Sequence, residues 1–135
     1  MNEEKREKTY KRVRELIFDF LTSPAEDREY FGAAEDADRE AYEFSAKVLD
    51  AIYNDTTIPM PEAMFEGVGV TLYWGSTDLF QITFVSKKKI EWYHAYDYRN
   101  TEGAEDFGDF DFSGMDESVI IERLMLLIRV HMPEV

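Results

Sequence analysis

Cysteine is absent from the 135 residues, and histidine occurs only as His94 and His131. The first absence excludes a disulfide framework and thiolate metal sites, and the second leaves too few imidazoles for an ordinary zinc centre. No cofactor is expected. Apolar runs of about 18 residues are also missing, and the charged opening residues have no apolar stretch behind them, so neither a membrane-spanning helix nor a secretory signal is expected. The expectation is a soluble, cytoplasmic chain. Bases are scarce: 15 Lys and Arg stand against 29 Asp and Glu, a net charge of −14. Six of those bases (Lys5, Arg6, Lys8, Lys11, Arg12, Arg14) lie in the first fourteen residues, so residues 15–135 carry −17. A surface of that sign disfavours direct binding of nucleic acid and suits a protein partner with a basic surface.

Apolar residues make up 44% of the chain and aromatic residues 15%, enough for one core, so residues 1–135 are expected to form a single domain. The organising stretch runs from Gly67 to Tyr98. Val68–Trp74, Leu79–Val85 and Lys89–Tyr96 alternate apolar and polar residues. Val68, Val70, Leu72, Trp74, Phe80, Ile82, Phe84, Ile90, Trp92 and Tyr96 all fall at even positions. A period of two gives a buried and a wet face, and the short turns between the runs predict a three-stranded antiparallel meander. The wet face carries Thr71, Tyr73, Gln81, Thr83, Glu91 and Tyr93, with the two tyrosines as candidate protein contacts. His94 falls in the buried register, where a hydrogen-bonded structural role is expected.

Residues 3–22 show helical spacing of Tyr10, Val13, Leu16, Ile17, Phe20 and Leu21, with the basic cluster on the opposite side. Ser23-Pro24-Ala25-Glu26 has the form of a capping box opening a short helix to about Phe31. Glu35 to Asn54 predicts a longer helix with Ala41, Phe44, Ser45, Val48, Leu49 and Ile52 inward and Asp36, Glu40, Glu43, Lys47 and Asp50 outward. That acidic stripe is either a solvated face or an imitation of a phosphate backbone. Pro59 and Pro61 mark Asn54–Gly67 as a loop, with Met60, Met64 and Phe65 plugging the sheet edge. Residues 100–122 contain no base, and Phe107, Phe110 and Phe112 alternate with Glu102, Glu105, Asp106, Asp109 and Asp111. The phenylalanines should pin this segment to the body as a fourth, edge strand, with the carboxylates projecting outward as an ordered acidic rim. Asp116 is the expected N-cap of a central, nearly all-apolar helix over 119–132 that lies on the sheet.

Two resemblances bear on function. Asp109-x-Asp111-x-Ser113-Gly114 resembles the first half of an EF-hand calcium loop, but Ile120 stands where the bidentate glutamate belongs. The proline-containing linker, the strand Val70–Trp74 and the Ile90-Glu91-Trp92-Tyr93 strand resemble small uncharacterised α+β proteins of bacteria and their phages, which implies an α+β fold and no transferable active site. In composition the chain is similar to acidic phage-encoded inhibitors of host defence, among them DNA mimics and anti-CRISPR proteins.

These observations lead to an α+β domain with N-terminal helices, a meander and a C-terminal helix on the sheet, monomeric or homodimeric. The function expected is a non-catalytic interaction through Asp36, Glu40, Glu43, Asp50, Tyr73, Tyr93, Glu102, Glu105, Asp106, Asp109 and Asp111. One alternative is an antitoxin-like module using the tyrosines and apolar contacts. Another is a divalent-metal protein or hydrolase built on Asp109, Asp111 and Glu117.

Overall fold

A computed structural model describes residues 3–22, 39–66, 69–75, 78–86, 89–96 and 105–132. In chain order these form α1 (Glu3–Thr22), α2 (Arg39–Asn54), β1 (Glu62–Glu66), β2 (Gly69–Trp74), β3 (Leu79–Phe84), β4 (Lys89–Ala95), β5 (Glu105–Asp111) and α3 (Glu117–His131). The capping box at 23–26, the short helix after it, Asp36 and Glu102 lie outside the described residues.

The class is α+β, and the sheet has five antiparallel strands in the order β1-β2-β3-β4-β5. The expected meander is its centre. β5 is the fourth strand expected at the edge, but of the phenylalanines expected to pin it only Phe112, just beyond it, is buried, while Phe107 and Phe110 are exposed. β1 is a correction, because its Glu-Ala-Met-Phe-Glu sequence has no β-branched residue and follows two prolines, yet it pairs with β2 from Glu62↔Tyr73 to Glu66↔Gly69. Burying Phe65 and pairing main-chain groups with a strong neighbour outweigh weak local propensity. The β2–β3 turn begins at Gly75, whose φ of +81° is one that only glycine adopts without strain.

The alternation is observed directly: Val70, Leu72, Trp74, Phe80, Ile82, Phe84 and Ile90 are buried beneath the helices. From α1 come Val13, Ile17 and Phe20, and from α2 come Ala41, Phe44, Ser45, Val48, Leu49 and Ile52. Phe20 stacks on Tyr42 at 4.3 Å and on Phe65 at 5.0 Å, which joins α1, α2 and β1 through one ring. Leu16, expected inward, is 37% exposed. On α3 the inward residues are Ile120, Leu124, Met125 and Ile128, while Leu126 and Val130 face out at 54% and 77% exposure. This helix is therefore one member of a helical layer rather than a wholly buried axis. Asp116 occupies its N-cap without a side-chain capping bond; its carbonyl instead accepts the N–H groups of Val119 and Ile120 at 3.1 Å.

The basic face of α1 is largely consumed inside the molecule. Arg6 is buried, and its guanidinium donates to the carbonyls of Ile58 (2.5 Å), Ile52 (2.6 Å), Asp55 (2.9 Å) and Tyr53 (3.2 Å). It thus caps the carbonyl end of α2 with a full positive charge. Arg12 pairs with Glu62, Arg14 with Asp50, Lys8 with Glu4 and Lys11 with Glu7. No described helix is long and apolar enough to cross a membrane.

Candidate functional site

The helices pack on one face of the sheet, and cross-strand registers lay the polar side chains of the other face out in rows. One row is Glu62–Tyr73–Gln81–Tyr93–Phe107, and the next is Met64–Thr71–Thr83–Glu91–Asp109. Tyr73 and Tyr93 are on the predicted face but do not adjoin, since Gln81 of β3 stands between them. Tyr93 donates its phenolic hydrogen to Glu105 Oε2 at 2.7 Å, and this bond raises the phenol's pKa. Thr71 and Thr83 share a hydroxyl hydrogen bond of 2.8 Å.

Between β3, β4 and β5 this face forms a groove of about 460 Å³ lined by Gln81, Thr83, Glu91, Tyr93, Phe107 and Asp109, with parts of Trp92 and Gly108. Two features of the groove leave interactions unmet in the isolated molecule. Phe107 is 70% exposed in the middle of the edge strand. Glu91 and Asp109, directly opposite one another on adjacent strands, bring like charges together, and no cation among the described residues pairs with either. Farther along, Asp111 is opposite Lys89, and one of its oxygens accepts from Ser113 Oγ (2.5 Å) and N (3.0 Å). The Ser113 hydroxyl, foremost, holds the Asp111 carboxyl below the usual carboxylate range.

The α2 stripe has a different environment. Glu43 pairs with Arg39 at 3.2 Å, and Asp50 accepts from Arg14 Nε at 2.8 Å and from the Tyr10 hydroxyl at 2.7 Å. Lys47 turns to Glu117 at 2.8 Å. The nearby α1–α2 groove of about 290 Å³ contains Arg14, Arg39 and Lys47, each already paired with a carboxylate. Two of the carboxylates expected to act as a phosphate-like array are thus neutralised from within.

A third cluster joins the only two histidines. His94 is buried and its Nε2 lies 2.6 Å from Asp78 Oδ1, while its Nδ1 lies 3.0 Å from Nδ1 of His131 at the end of α3. With His94 neutral, its Nε2–H donates to Asp78 and its Nδ1 accepts the His131 Nδ1–H. His131 stacks on Phe80 at 5.1 Å and packs against Trp92 at 4.7 Å. Burial first, and then His94, lowers the pKa of His131, against a smaller opposing influence of Asp106. Both nitrogens of His94 are taken by described neighbours, Asp78 and His131, and the cluster forms a clasp between α3 and the sheet. His94 was legible as a structural histidine; its partner 37 positions later carried no sequence signal.

Asp109 and Asp111 lie on an extended strand rather than in a looped calcium site. Glu117 is on α3, and no group of three or more His, Asp or Glu among the described residues is arranged to hold a metal ion. Comparison with family models, curated proteins and solved structures finds no match.

Proposed function

We propose that the protein is a non-catalytic interaction domain, and that the sheet face opposite the described helices, with its β5 edge, is the surface that engages a basic protein partner. The observation that carries this is the Glu91–Asp109 pair beside exposed Phe107. Facing carboxylates repel and a solvated ring contributes no burial, and a partner that brings a cation and an apolar group together answers both. Tyr73 and Tyr93 extend the contact along the same row, and Glu105, Asp106 and Asp111 supply an acidic rim that speeds encounter and weakens it as salt rises. A cationic surface that otherwise holds nucleic acid is a partner of suitable chemistry, in which case the domain acts as its inhibitor. The carboxylates that would compete with phosphates are then those of β5 and Glu91 rather than those of α2.

The test is capture of partners from a lysate of the source cell, eluted in a salt gradient, with two sets of variants. Phe107→Ser with Asp109→Asn should lose the captured basic protein, and Glu43→Gln with Asp50→Asn should retain it. Retention by the first set and loss by the second would overturn the assignment and return the function to α2.

A further inference from the structure

β5 leaves one side of its main chain unused. It is the terminal strand of the sheet, and among the described residues nothing pairs with its outer side. The Phe107 N–H does not enter the ladder with β4; it donates to the side chain of Asp106 at 3.1 Å. A carboxylate oxygen therefore stands where the carbonyl of a further strand would be. Because main-chain groups alternate along an antiparallel strand, the N–H and C=O groups of Glu105, Phe107, Asp109 and Asp111 turn outward together.

We propose that β5 is an acceptor edge, at which an extended basic segment of the partner adds as a sixth strand to the five present. This rests on the interaction surface argued above and specifies how it is used. β5 carries Glu105, Asp106, Asp109 and Asp111 and no base, so a second copy of the same strand would set acids against acids, whereas a strand rich in lysine or arginine is attracted. Charges alone are a common way of protecting an edge, but a phenylalanine exposed at its centre defeats that purpose. On the helix side, Gly108 leaves room for the Trp92 indole to reach the edge. A Cβ at Gly108 would lie 2.5 Å from Trp92 Nε1, so the ring occupies the space a side chain would fill. The preferred segment alternates: its basic residues fall on the open face, where they meet Glu105, Asp109 and Asp111 and lay their stems against Phe107, and its apolar residues fall on the helix side beside Trp92.

The experiment uses the full chain and two short synthetic peptides of identical composition. One alternates lysine with valine and phenylalanine; the other gathers its lysines into one block. Binding is followed by titration, and amide hydrogen exchange is read at Phe107 and Asp109. The alternating peptide should bind at least about tenfold more tightly and slow exchange of both amides by about tenfold or more. Phe107→Pro removes an outward N–H without touching the β4 ladder and should abolish that preference, whereas Phe107→Ser, which loses the ring but keeps the N–H, should retain a preference for the alternating peptide, with the Tm of both near that of the parent. Equal binding of the two peptides, or tighter binding without protection of the β5 amides, would overturn strand addition and leave the acidic surface standing. Failure of both peptides to bind at low salt would overturn both.

Discussion

Arg6 shows how far a residue's neighbourhood can depart from its sequence context. In sequence it belongs to a run of solvated bases, but in the fold its guanidinium satisfies carbonyls at the end of α2 and in the segment that follows it. It lies over the Tyr53 ring, with its centre 5.8 Å from the ring centroid. Removing the donor takes a charged partner from four carbonyls, of which those of Ile52 and Asp55 keep a main-chain N–H, and leaves the end of α2 without its compensating charge. Arg6→Met should therefore cost about 3 kcal/mol or more in urea unfolding. Arg6→Lys should recover only part of this, since an ammonium cannot match the spread of a planar fork. The exposed Lys8 and Lys11, each paired one turn away, should cost only tenths of a kcal/mol when replaced by glutamine.

At the scale of elements, the chain announced what repeats and concealed what converges. The β2, β3 and β4 runs were legible because period-two burial is written in their even positions, and the inward faces of α1 and α2 because Val13, Ile17, Phe44 and Val48 recur at helical spacing. β1 was not, since Met64 and Ala63 follow no strong β preference and Pro59 and Pro61 imitate a loop. In the candidate site, Tyr73, Tyr93 and Asp109 could be placed on a face or segment from sequence. The Glu91–Asp109 opposition could not, because it depends on register. The clasp between α3 and β4 was equally hidden, and it makes a prediction. The folded pKa of His131 lies below its unfolded value, so the unfolded chain takes up its proton first as pH falls. The stability this gives is complete above the unfolded value of about 6.5 and declines as pH drops below it. The charged or titratable groups acting on the ring are His94 of β4 and Asp106 of β5, while Phe80 and Trp92 pack against it and Asp78 and Tyr96 contact His94. A His131→Gln variant should show a shallower loss of Tm between pH 7 and pH 5 than the parent; an identical slope would refute the assignment.

Taken whole, the molecule carries a net charge of −14, and its described residues form two layers, with helices on one face of the sheet and none of them on the other. Self-repulsion at that charge should make Tm rise as sodium chloride increases from low ionic strength to physiological levels. Millimolar calcium should add nothing beyond sodium chloride of equal ionic strength. A specific rise with calcium would revive the divalent-metal alternative at Asp109 and Asp111.

The spatial order of the strands is also their order along the chain. During synthesis from the N-terminus, each strand therefore finds its partner already made, and none has to wait for a segment still inside the ribosome. The growing sheet always ends in its newest strand, and for a time that edge is available to any neighbour on a polysome. Growth stops on the strand with four acids and no base, so the last edge repels its own copies for as long as the protein exists.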